Sequence, residues 1–94
     1  MKILVVTWID AANLSIENII AKMIEKGHYV DIYAFQTDYK SIRMFEHLPI
    51  RIYSVSKLNQ KQVNNYDIAF TVDSAMRALR FFDIYVFSYN YVPD

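Results

Sequence analysis

The chain has no cysteine. Disulfides, thiolate metal sites and cysteine nucleophiles are therefore excluded, and the composition fits a reducing compartment. Glycine occurs once, as Gly27. A dinucleotide fingerprint needs several glycines so that backbone and pyrophosphate can approach closely, and a P-loop needs a Gly-Lys-Ser/Thr run. Neither can be built here, and no cofactor is expected. Charge of one sign is lacking too: ten basic and ten acidic residues give a formal net charge of zero. No basic block stands out, which argues against electrostatic binding to nucleic acid or anionic lipid. The longest apolar runs fall far short of the roughly 18 residues of a membrane span. The opening MKILVVTWIDAAN has one lysine and a brief apolar run that leads straight into a helix, so it reads as a buried first strand rather than a signal peptide. The cytoplasm is the expected location.

Aromatic residues, in contrast, are plentiful. A chain of 94 residues is enough for one domain. At this size folding buries roughly 60–65% of the surface that the unfolded chain exposes. Eight tyrosines, six phenylalanines and one tryptophan are more than so small an interior accommodates. Some of that aromatic surface is expected to meet another molecule.

The stretch from Lys2 to Gly27 organises the rest. KILVVTW (residues 2–8) is a continuous apolar run that suits a strand buried on both faces of a parallel sheet. Leu14–Lys26 then places Ile16, Ile19, Ile20, Met23 and Ile24 on one helical face. Asn13 or Ser15 can cap the helix, and Gly27 supplies the left-handed residue that ends it. His28–Phe35 (HYVDIYAF) reads as strand two, with Gln36, Thr37 and Asp38 in a loop. Tyr39–Glu46 reads as a short helix with Ile42, Phe45 and Met44 as inward candidates, ended by Pro49. Ile50–Val55 (IRIYSV) is strand three, an edge guarded by Arg51. Ser56–Asn65 is polar, a weak helix or an irregular connection. Asp67–Val72 (DIAFTV) is strand four, followed by a helix capped by Asp73 or Ser74, with Ala75, Met76, Ala78 and Leu79 toward the sheet. Asp83–Tyr89 is strand five, and Asn90–Asp94 is a tail.

This alternation of strands and helices forces parallel pairing through right-handed crossovers. The expected fold is a three-layer, Rossmann-like or flavodoxin-like open parallel α/β sheet of five strands in the order 3-2-1-4-5, forming one domain over residues 1–94. Strand one is central, and the switch point lies between strands one and four.

Ligands in such sheets bind at the carboxyl ends of the strands. The candidate binding residues are therefore Trp8, Asp10, Asn13 and Ser15 on one side of the switch point and Asp73 and Ser74 on the other. Two readings stand for them: turn and cap residues, or a set that meets a ligand. Trp8 either packs or stacks on a sugar or base. Asp10 and Asp73 are the only pair that can be argued toward a metal, and no other residue supports it. His28 lies at the amino end, away from the ligand edge, and His47 reads as a loop residue. No serine–histidine–acid arrangement is legible. A response-regulator site is excluded, because Ser56 and Asn90 stand where an aspartate and a lysine are required. No catalytic residue is assigned.

The passage MIEKGHYVDIYAF, with Glu25-Lys26-Gly27-His28-Tyr29-Val30 as its most specific part, resembles the N-terminal domain of GT-B glycosyltransferases, especially the retaining group 4 type. KILVVTW before it is similar to that family's opening strand. NNYDIAFTVDSAMRAL resembles the family's segment in which a Tyr-Asp pair precedes an apolar strand, a polar turn and a helix. The resemblance implies the acceptor-side portion of an enzyme that transfers a sugar from a nucleotide sugar. It departs from the family at IDAAN, where glycines usually approach the donor phosphate. It also implies a C-terminal donor domain that these residues do not include, so the chain alone is expected to be inactive. The alternative is a stand-alone, non-catalytic α/β binding or interaction module. Strand five lacks the usual edge protection. Its expected partner is the donor half or a second copy pairing through residues 83–91. A sugar acceptor is the other expected partner.

Overall fold

The computed structural model describes residues 1–9, 14–37, 42–43, 45–72 and 78–89. Its strands are β1 (Lys2–Ile9), β2 (Tyr29–Thr37), β3 (Arg51–Ser54), β4 (Ile68–Val72) and β5 (Val86–Tyr89). Helix α1 (Leu14–Glu25) links β1 to β2, and a one-turn helix α2 (Gln60–Val63) precedes β4. All pairings are parallel, and the order is β3-β2-β1-β4-β5. Both the order and the α/β class are those expected from the alternation of apolar runs. No described helix is long and apolar enough to cross a membrane.

β1 occupies the middle because every residue from Ile3 to Thr7 is apolar or small enough to be enclosed. All five are at most 3% exposed. Successive side chains of a strand point to opposite faces, and two cores result. Ile3 and Val5 join Ile16 and Ile20 of α1, Val30 and Ile32 of β2, Phe45 and Phe70. Leu4 and Val6 join Tyr33, Ala69, Val63 of α2 and Leu79 on the other face. Ile20 is fully buried.

Gly27 ends α1 for a backbone reason. Its φ is +91°, a region that L side chains rarely adopt. The Gly27 N–H donates to the Ile24 carbonyl (2.9 Å) and the His28 N–H to the Met23 carbonyl (3.1 Å). These are the two bonds of a Schellman cap. His28 is therefore part of the helix cap rather than the first residue of strand two. β2 begins at Tyr29 and continues through Gln36 and Thr37, which had been expected to form a loop.

Other strand ends shift for similar reasons. Ile50 closes a turn onto the Leu48 carbonyl (2.8 Å), so β3 starts at Arg51. Val55 enters a 3₁₀ turn, Val55–Lys57, in which Ser54 caps the Ser56 N–H. Asp67 lies just before β4. Its N–H donates to the Lys2 carbonyl (2.8 Å), and its carboxylate accepts from the Lys2 N–H (2.7 Å). The Asp83 N–H is taken by the Gln60 side chain (3.0 Å), so residues 83–85 stay outside β5. The polar connection contains α2, capped by Asn59, whose side chain accepts from the Gln62 N–H.

Of the short helix expected over Tyr39–Glu46, residues 42–43 are helical and Phe45 is buried. Tyr39 and Met44 lie outside the described residues, as do 73–77 and the tail from Asn90.

Truncating Ile20 to alanine should destabilise the fold by about 2–5 kcal/mol, the usual range for an aliphatic core residue. Denaturant unfolding measures this, and a loss below about half a kcal/mol would place Ile20 on the wrong face of α1.

Candidate ligand site

Trp8 and Phe35 occupy the carboxyl edge of the sheet. The pairing of β1 with β2 runs Thr7↔Ala34 and then Ile9↔Thr37, so β2 has one extra residue in this interval. Such a bulge redirects side chains and is common beside binding sites. Here the Trp8 and Phe35 rings stack at 4.8 Å with 17° between planes. Trp8 remains 37% exposed and presents an aromatic surface at the end of the central strand. Of the other candidates, Ser15 falls in the first turn of α1. Asp10, Asn13, Asp73 and Ser74, and with them the Asp10–Asp73 metal pairing, lie outside the described residues. Among the described residues no group of three or more potential metal ligands comes together.

A second site lies at the opposite, amino edge, on the same sheet face as Trp8. It is a cleft of about 370 Å³ whose lining includes Tyr29, Asp31, Tyr33, Tyr53, Gln62 and Tyr66. Strand alternation puts Tyr29, Asp31 and Tyr33 of β2 on one face. Tyr53 of β3 is the register partner of Tyr33, and the two rings stack at 5.0 Å. Gln62 comes from α2, and Tyr66 from the turn before β4.

Asp31 is the centre of this cleft. It is only 5% exposed, an unusual place for a carboxylate unless it is partnered. Tyr66 Oη donates to its Oδ2 at 2.8 Å. Its Oδ1 is buried and has no hydrogen-bond partner among the described residues, and the same holds for Gln62 Oε1. Thr71 Oγ1, toward the middle of the sheet, is a third such atom.

The phenols respond to this environment. Burial, then the hydrogen bond to Asp31 and its charge, push the Tyr66 pKa well above its ordinary value of 10.0. Tyr33 is raised chiefly by burial. Tyr29 is raised first by the charge of Asp31 and next by burial. All three remain neutral at physiological pH, and each offers an O–H as well as a ring.

The two histidines take no part in the cleft's polar core. His28 Nδ1 stands 3.1 Å from the Met1 amino group. His47 Nε2 lies 3.1 Å from Glu17 of α1, a contact that is ionic only when the imidazole is protonated.

Reasoning from the sequence placed the site at the carboxyl edge and missed Asp31. The available signal was Tyr29-x-Asp31-x-Tyr33, a carboxylate flanked on its own strand face by two phenols inside an otherwise apolar run. The Tyr66-Asp67 pair that carried part of the family resemblance has a concrete role here. Tyr66 holds Asp31, and Asp67 holds the backbone of Lys2. No family model, curated protein or solved structure matches the chain.

The raised Tyr66 pKa predicts a pH dependence. The unfolded chain releases this proton first, near pH 10, so the stabilisation is complete below about pH 10 and is lost as pH rises beyond it. Stability should therefore fall less steeply in Tyr66→Phe than in the wild type between about pH 9 and 11. Urea unfolding across that range checks this. Equal slopes would contradict the Tyr66–Asp31 contact.

Proposed function

We propose that this chain is the N-terminal, acceptor-side portion of a nucleotide-sugar-dependent glycosyltransferase of the GT-B type, inactive in sugar transfer by itself. The observation that carries this reading is the Trp8–Phe35 stack at the carboxyl edge, at the end of the central strand of a parallel β3-β2-β1-β4-β5 sheet. A half-exposed indole on a rigid strand suits stacking against the apolar face of a sugar ring. Asp10, Asn13, Ser15, Asp73 and Ser74 are the other residues proposed to meet the acceptor. The nucleotide sugar belongs to a donor domain outside these residues, and cytoplasmic location is part of the same proposal.

Trp8 is the only tryptophan, so fluorescence excited selectively at the indole, beyond the tyrosine absorption, reports on this edge. An acceptor sugar should change that emission saturably. Nucleotide sugars should show no dissociation constant below about 1 mM by calorimetry, a weak-binding level. Tight binding of a nucleotide sugar would overturn the division of labour, and an emission unchanged by every sugar tested would overturn the acceptor site.

A second reading, a stand-alone non-catalytic binding or interaction module, is favoured by aromatic exposure around β5. Phe81, Tyr85 and Phe87 are 80%, 71% and 54% exposed, and β5 is last in the strand order. In this reading residues 83–91 pair with a second copy about a two-fold axis. Sedimentation across a concentration series should then show a dimer that Phe87→Lys weakens. A monomer at every concentration would remove the second copy as the partner.

A further inference from the structure

The Asp31 cleft poses a problem of charge. A carboxylate that is nine-tenths buried is stable only when it is paired and hydrogen-bonded. Tyr66 satisfies one oxygen. The other oxygen and Gln62 Oε1 are buried acceptors without donors among the described residues, and both residues line one cleft. Two of the described cations, Lys2 and Arg51, stand near this cleft, and neither forms an ion pair with Asp31. Lys2 lines the cleft with its Nζ 5.8 Å over the Tyr29 ring, and Arg51, exposed on the neighbouring strand, feels the charge of Asp31 without bonding to it. The described ion pairs are Arg43–Glu46 and Glu17–His47, and none involves Asp31.

We propose that this cleft binds a small organic cation bearing N–H donors, an alkylammonium or guanidinium group. One N–H goes to Asp31 Oδ1 and a second to Gln62 Oε1. The four tyrosines of the lining supply ring faces, which attract cations, and phenol oxygens, which accept further N–H groups. A neutral polyol satisfies the orphan acceptors but leaves the buried charge uncompensated. A quaternary ammonium compensates the charge but leaves both acceptors empty. The volume, about 370 Å³, lies within the usual range for small-molecule sites. The site is at the amino edge and is independent of the sugar-transfer reading.

The test is titration of the full chain with methylguanidinium and with n-butylammonium, followed by amide chemical shifts. Tetramethylammonium and glycerol serve as controls. The expected result is saturable shifts centred on Asp31, Gln62 and Tyr66, with a dissociation constant of about 1 mM or tighter for either N–H cation and at least about tenfold weaker binding of both controls. Asp31→Asn keeps the side-chain shape and should weaken cation binding at least about tenfold. Gln62→Ala, in a half-buried position, provides a second loss should Asp31→Asn fail to fold. Arg51→Gln removes the cation on the neighbouring strand and should leave binding equal or tighter. Three outcomes would overturn the site: no saturable shift with either N–H cation, glycerol binding as well as the cations, or binding that appears only in Arg51→Gln. The last would show Arg51 to be the native partner of Asp31.

Discussion

The structure depends on enclosing one strand from both sides. Ile3 through Thr7 of β1 are shielded above, below and along both edges, because β2 and β4 flank the strand. Alternate side chains enter separate cores, and the two cores hold different helices. α1 must place Ile16 and Ile20 over Ile3 and Val5, while α2 must bring Val63 to Leu4 and Val6. Both connections are long enough to cross over in the right-handed sense that returns the chain to a parallel neighbour. The centre of the sheet is mostly apolar, with Thr7 and Thr71 its buried hydroxyls, and the candidate sites lie at its two ends.

Those ends are built differently. At the carboxyl edge an extra residue in β2 breaks the register, and Trp8 stacks on Phe35 while staying partly exposed. At the amino edge the strands begin in step, and Tyr66 and Asp67 clip the start of β4 to β2 and β1. Asp31 and Phe35 are four residues apart on one strand face, about 13 Å at the usual rise. Between them Tyr33 stacks on Tyr53. Two surfaces of different character, one aromatic and one acidic with aromatic walls, therefore share one face of the sheet without merging.

Much of the fold was legible because its signals are local or combinatorial. Continuous apolar runs such as ILVV mark doubly buried strands, Ile16 and Ile20 mark the inner face of α1, and Gly27 marks the helix end. Strand order then follows from crossover rules rather than from any single residue. Strand ends were less legible because tertiary hydrogen bonds decide them. Asp83 is held by Gln60 and Asp67 by Lys2, and neither contact has a signature in the neighbouring sequence. The Asp31 cleft was legible only in its Tyr29-x-Asp31-x-Tyr33 strand face, for the same reason. Asp31 becomes a site only when Gln62 and Tyr66, more than thirty residues away in sequence, are folded over it. The aromatic excess pointed in the right general direction, since four of the eight tyrosines line that cleft.

Native-state hydrogen exchange tests the central claim, that β1 is the most protected strand and the others are assembled on it. The hydrogen-bonded amides of Leu4–Thr7 should exchange only through global unfolding, while those at the edges, in β3 and β5, should exchange faster through local opening. Exchange of the β1 amides as fast as those of β5 would contradict a sheet organised around its first strand.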